Sequence, residues 1–246
     1  MKSIGWLFLM CLLLISCKKE VETPMGLGYR YYPTTLKHYY IYQTDSVYVD
    51  CKFGVRDTFR FETLEIYDTL FQDALGRDAI RIEVYKRNVG ANDWGVPRIY
   101  HTNTFPTRAE RTEENIRFVK LIFPIVEGAE WDINDFNFLD EKIAILKNTH
   151  QSFMSNNVQY DSTVTSLLQD EENLLDKNYE VEIYALDIGL IYQERTNIRG
   201  ISVVGQANDC SQYLPYQPWT AVPIMERIAE GSVVTKKLIQ HGIHYQ

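Results

Sequence analysis

The sequence predicts an all-β chain, a bent antiparallel sheet or incomplete β-barrel in a single domain, and three observations carry that expectation. Aromatic residues make up 13% of the 246 positions, and 17 of them are tyrosines. Rings and β-branched side chains suit a pleated, half-buried surface. Several segments alternate apolar and polar residues with a period of two, most cleanly Ile80, Ile82 and Val84 against Arg81, Glu83 and Arg87. Turn-forming runs such as Ala74 to Asp78 and Asn88 to Gly95 separate these segments. A hydrophobic content of 45% beside 24% charged residues is enough to build a core.

The N-terminus has its own logic. Lys2 precedes an apolar run of 12 residues from Ile4 to Ile15, which ends in Leu14-Ile15-Ser16-Cys17. A membrane span needs about 20 residues of helix, so the run is too short to cross a bilayer but fits the apolar region of a signal peptide. It resembles a bacterial lipoprotein signal, with Leu14, Ile15 and Ser16 at the aliphatic, variable and small positions of the lipobox. The resemblance implies that residues 1–16 are removed and that Cys17 is the lipid attachment site. Lys18 and Lys19 stand where inner-membrane retention signals carry aspartate, and only Glu20 and Glu22 follow. By the same resemblance the chain is expected in the outer membrane, lipid-anchored and facing the periplasm. Residues 17–33 contain Pro24, Gly26 and Gly28 without an apolar period and are read as lipidated cysteine and flexible tether; residues 34–246 are read as one β-rich domain.

Strands are expected from Leu36 onward. Tyr40, Tyr42 and Tyr48 share one parity while Tyr39, Ile41, Val47 and Val49 share the other, as in a strand covered on both faces. Phe59 to Glu62 alternates, but Leu64 and Ile66 continue on the opposite parity, which places a β-bulge at Thr63. Ile99 to Thr104 is a short strand, residues 106–115 are polar and expected to be exposed, and Ile116 to Phe123 is a strand stopped by Pro124. Between Asp140 and Thr149, Ile143 and Ile145 suit a strand whereas Ile143 and Leu146 suit a helix; a strand is expected. Tyr160 to Leu168 and the strand from Tyr179 form a meander. In it Val181, Ile183 and Ala185 face inward beside Ile80, Ile82 and Val84, and Glu180, Glu182 and Tyr184 face water. Gly189 marks a turn or bulge, Leu190 to Arg195 continues the sheet, and Ser232 to Gln240 is a last strand that would close or seal the sheet if paired with an early one.

Three local patterns, Tyr32-Pro33, Phe123-Pro-Ile-Val-Glu-Gly-Ala-Glu-Trp131 and Tyr184-Ala-Leu-Asp-Ile-Gly-Leu-Ile-Tyr-Gln-Glu194, resemble a group of uncharacterised lipoproteins of the Bacteroidetes type. The resemblance spans most of the chain after Cys17 and agrees with the lipobox. It implies no activity.

The chemistry-bearing residues form no known catalytic pattern. No G-x-S-x-G, P-loop, H-E-x-x-H or paired C-x-x-C is present, so a non-enzymatic protein without cofactor or metal is expected. A formal net charge of −8 excludes nucleic-acid binding through the overall field. Asp132, Asp135, Asp140 and Glu141 surround Trp131 without the spacing of a calcium loop and are read as a solvated turn. His241 and His244 fall on opposite faces of a strand, and a frayed C-terminus is expected there. Cys51 and Cys210 either form a disulfide, which an exported compartment permits, or stay as thiols. Tyr29, Tyr31, Tyr32, Tyr39, Tyr40 and Tyr42 crowd the start of the domain, where they fill a core and its rim or present a binding face. The functional expectation is a membrane-tethered module that takes a hydrophobic ligand or an envelope protein partner. The alternative is a structural or interaction subunit of an envelope complex, and a third reading, without any motif behind it, is a hydrolase built on scattered acids and histidines. A lined cavity separates the first from the second, which calls for a packed interior and an exposed aromatic patch.

Overall fold

The computed structural model describes residues 26–200 and 223–244, so the lipobox residues Leu14, Ile15 and Ser16, the acylation candidate Cys17, and Cys210 all lie outside the described residues. Twelve strands carry the described fold: β1 (His38–Asp50), β2 (Val55–Gln72), β3 (Asp78–Asn88), β4 (Arg98–Thr104), β5 (Arg108–Glu113), β6 (Ile116–Ile122), β7 (Glu130–Asp132), β8 (Ile143–Ser155), β9 (Val158–Glu172), β10 (Asp176–Ala185), β11 (Gly189–Gly200) and β12 (Ile228–Ile243). They form one antiparallel sheet in the order β6-β5-β4-β3-β2-β1-β12-β11-β10-β9-β8-β7. The sheet curls until its edges nearly meet. Across the seam between β6 and β7, the Val119 amide donates to the Ile133 carbonyl at 2.9 Å, and the Trp131 indole N–H donates to the Val119 carbonyl at 3.0 Å. The all-β incomplete barrel is as the residue pattern predicts; the last strand does pair with an early one, β12 with β1 through Tyr40↔His241 and Val47↔Val233, but this pairing joins two halves in mid-sheet, and the edges that nearly close are β6 and β7.

Local chemistry sets the turns. Asn156 and Asn157, with φ of 49° and 61°, join β8 to β9 as a two-residue hairpin, and asparagine tolerates the left-handed conformation that such a turn demands. Gly231 in β12 has φ of 119°, and a Cβ there would lie 2.1 Å from the Asn197 carbonyl oxygen, so only glycine lets β12 approach β11 at this point.

One end of the barrel is plugged by the N-terminal segment. Tyr29–Tyr31 form a 3-10 turn, and Tyr31 and Tyr32 are buried in an apolar cluster with Leu121, Phe123, Trp131 and Leu146. The Tyr31 hydroxyl sits 2.7 Å from both His150 Nδ1 and Ser162 Oγ, and Arg30 pairs with Asp187 in the β10–β11 turn. The segment expected as flexible tether up to residue 33 is therefore built into the domain over its last residues, because the tyrosines carry enough apolar area to hold it there.

Four other expectations are corrected. The bulge in β2 falls at Asp68, between Tyr67 and Thr69, and not at Thr63. The polar stretch 106–115 is exposed at its two ends and not through its middle: it contains β5, with Ala109, Glu110, Arg111 and Thr112 buried. Its charges are tolerated because each is paired, Glu110 lying among Arg77, Arg108 and Arg117. The C-terminal strand is not frayed at His241, whose ring stacks on His38 and Tyr40 at centroid distances of 6.1 and 6.2 Å. Finally, Glu180, Glu182 and Tyr184 do not face water. They point into the barrel, while Val181, Ile183 and Ala185 are buried on the other face of β10 in a cluster that includes Ile80 and Ile82.

That outer face is covered by the distal half of the β8–β9 hairpin. Phe153 of β8 rests against Tyr192 of β11 with ring centroids 5.5 Å apart, although two strands separate β8 from β11 in the sheet. Such a contact requires the hairpin to fold back across its neighbours, since adjacent strands are about 4.8 Å apart. The register breaks between Lys147 and Phe153 supply the bend. At the far end of β1, Val49 packs with Ile198, Ile224 and Ile228, and Cys51 beside them is disulfide-bonded.

Candidate ligand cavity

The inward positions of the barrel enclose a cavity of about 810 Å³. Strand periodicity places its lining. Tyr40, Tyr42 and Thr44 project from β1, Phe61, Thr63, Glu65 and Tyr67 from β2, Glu180, Glu182 and Tyr184 from β10, and Val234 and Lys236 from β12. The volume is that of a small-molecule site, but the lining is mixed. It alternates tyrosine rings with buried charge.

Three ion-pair groups organise that charge. Glu65 of β2 accepts from Arg111 at 2.8 Å and from Lys236 at 2.9 Å, so one carboxylate ties β2, β5 and β12 together across the interior. Burial alone would raise the Glu65 carboxyl, but the charges of Arg111 and Lys236 and their hydrogen bonds outweigh it and hold its pKa at about 2. For Arg111, burial favours the neutral form; Glu65 and Glu113 reverse this and hold the guanidinium well above its ordinary value. In the second group Glu182, 2% exposed, accepts from Lys120 at 2.5 Å, from Gln193 at 3.0 Å and from the Tyr184 hydroxyl. In the third, Glu180 accepts from Lys142 and from Arg195. Its carboxyl, pushed up by burial, is brought below its usual value by those two cations.

The tyrosines stay neutral. Burial raises Tyr42, Tyr67 and Tyr184 well above the usual phenol value, and the nearby carboxylates Glu65 and Glu182 add to it. Tyr40 and Tyr67 meet edge to face at 5.4 Å, and Lys236 lies 4.1 Å from the Tyr42 ring centroid. The Tyr32 hydroxyl accepts from Thr102, which fixes the plug against the cavity floor.

The sequence-predicted candidates divide as follows. Of the N-terminal tyrosines, Tyr32, Tyr40 and Tyr42 line the cavity and Tyr31 lies in the plug beneath it, while Tyr29 is exposed. The acidic residues around Trp131 form a self-bonded turn in which Asp132 Oδ1 accepts from the Asn134 and Lys142 amides. Among the described residues no group of three His, Cys, Asp or Glu side chains is placed to hold a metal ion. Cys51 sits at the β1–β2 turn, remote from the cavity lining. The charged interior residues were missed by sequence reasoning, which assigned charge to solvent. A signal was present: Glu65 shares parity with Phe61 and Tyr67, and Glu182 with Tyr184, so charges and rings occupy one face of the same strands.

Comparison with protein-family models, with curated proteins and with solved structures finds no match to the chain.

Proposed function

We propose that this chain is a lipid-anchored envelope protein, held in the outer membrane through Cys17 with its domain in the periplasm, and that its barrel binds a small molecule without transforming it. The observation that carries the reading is the cavity of about 810 Å³ with tyrosine walls and fixed interior charges. Preorganised, paired polar groups of this kind orient a ligand without reorganising on binding. The interior is less apolar than a hydrophobic ligand alone would call for. The rival reading, a tyrosine-rich docking face for an envelope partner, loses its main support because Tyr31, Tyr32, Tyr40 and Tyr42 are buried. Pairing of Cys51 with Cys210 belongs to the same reading, since a periplasmic domain forms disulfides; a non-reducing peptide map is expected to recover those two cysteines in one linked peptide.

Native mass spectrometry of the full-length protein, gently extracted from its own membranes, tests the ligand. A fraction is expected to carry a releasable adduct of roughly 300–600 Da, lost in Thr63→Trp, which fills part of the cavity. An adduct that persists in Thr63→Trp places it outside the barrel. The anchor is tested by labelling with a palmitate analogue: wild type should be marked and Cys17→Ala should not. Equal labelling of the two overturns the anchor.

A further inference from the structure

Resting on the reading of the cavity as a ligand site, we propose that its ligand is an amphipathic organic anion, bound with a ring-bearing or apolar body inward and its acid group at the mouth. The charge of the lining is unbalanced, with seven cations facing four carboxylates. The imbalance has a location. In the depth of the barrel Arg111 and Lys236 are matched by Glu65 and Glu113, and Lys120 by Glu182. The side chains of these three cations are only 10%, 18% and 17% exposed.

The surplus lies in the outer part of the lining. Lys142 and Arg195 share the single carboxylate of Glu180, and Arg195 is 59% exposed. Among the described residues Arg98, 70% exposed, has Glu114 as its one carboxylate partner, and Glu114 is outside the cavity lining. Lys86 has no carboxylate within ion-pair distance among the described residues, and its ammonium stands 3.5 Å from the centroid of the Phe61 ring. In a chain whose net charge is −8, this local surplus is opposite in sign to the molecule as a whole. The mouth, and not the surface at large, is what attracts an anion.

The depth suits the remainder of such a molecule. Tyr40, Tyr67, Leu168, Ile188 and Leu190 offer ring faces and apolar surface around the neutral ion pairs. Tyr40 and Tyr67 are 4% and 7% exposed and line the cavity. Ser166 Oγ, also in the lining, is buried without a hydrogen-bond partner. An unsatisfied buried polar group is costly, and a polar atom on the ligand body would satisfy it. A cation would meet the surplus charge at the mouth, and a neutral molecule would leave it uncompensated.

Calorimetric titration of the full-length protein in a neutral detergent, with a detergent blank, compares three probes of one shape: naphthalene-2-sulfonate, naphthalene-2-methanol and 2-naphthylmethylammonium. The sulfonate is expected to bind about tenfold tighter than the alcohol and the ammonium weaker than either, with added salt weakening only the sulfonate. Lys86→Glu with Arg98→Glu, both on exposed side chains, should remove the preference for the sulfonate and leave the alcohol unchanged. An unshifted melting temperature would show that the double variant is folded. Equal binding of sulfonate and alcohol overturns the anion while leaving the cavity reading in place. Binding of none of the three overturns both. A sulfonate preference that survives the double variant places the anion away from the mouth and overturns the orientation.

Discussion

Glu182 shows how far the consequence of one side chain depends on which face it occupies. On a solvent face its removal would cost no more than about 0.5 kcal/mol. In the barrel it is the ion-pair partner of Lys120, and its removal leaves an enclosed ammonium with Glu113 as a more distant carboxylate. Glu182→Ala is therefore expected to destabilise by about 3–5 kcal/mol, comparable to the roughly 2–5 kcal/mol expected for Ile183→Ala on the packed outer face. Urea melts of the two variants check this; a change within about 0.5 kcal/mol for Glu182→Ala would place its carboxylate in water. Glu65 makes a prediction in pH. Its folded pKa of about 2 is depressed from an ordinary 4.5, so the stability it contributes is fully present above pH 4.5 and lost as pH falls through 2. The loss is of order 3 kcal/mol, and Glu65→Gln should flatten that limb of the stability profile between pH 4.5 and 2.

At the scale of elements, the β8–β9 hairpin is the piece that converts an ordinary strand wall into one buried on both sides. Phe153→Ala should cost about 1–2 kcal/mol, since a half-buried ring gives up part of its apolar burial. In hydrogen exchange it should speed the hairpin beyond Lys147 without changing β1 or β12, and a uniform loss of protection across the sheet would contradict the fold-back. The same hairpin explains what the sequence could and could not disclose. Strand positions were legible because Ile80, Ile82 and Val84 alternate with charge, whereas the pairing of the last strand with the first was legible only as a condition for closing the sheet. The direction of β10 was not legible. Val181, Ile183 and Ala185 alternate with Glu180, Glu182 and Tyr184 in a pattern that normally separates core from water, and here both sets are enclosed, one by ion pairs and the other by a hairpin folded over from two strands away. Parity within one strand carries no information about either partner. Arg111 was hidden for the same reason: a polar stretch reads as a loop until Glu65, 46 residues earlier, is placed opposite it.

At the scale of the whole molecule, the weakest line is the β6–β7 seam, joined by a backbone bond at Val119, by the Trp131 indole and by the Asn137 side-chain amide on the Arg117 carbonyl. Trp131→Phe keeps the ring but leaves the Val119 carbonyl without that donor, at a cost of about 1–3 kcal/mol. The Val119 amide is expected to lose exchange protection before any amide of β1 or β12; simultaneous loss would mean that the seam opens only with the whole barrel. The position of that seam has a further consequence, because it lies in mid-chain while β1 and β12, the first and last strands, lie side by side in the middle of the sheet. Strands β1 to β6 and β7 to β12 are each a run of sequence neighbours, with residues 201–227 as the longest connection, between β11 and β12, and each run can pair locally as it emerges. Their union at β1–β12 closes a loop of nearly the whole described chain and is entropically the slowest pairing. A chain delivered from its N-terminus therefore keeps β1 waiting as an open edge, and the cavity comes into existence only when β12, the final strand, has arrived to pair with it.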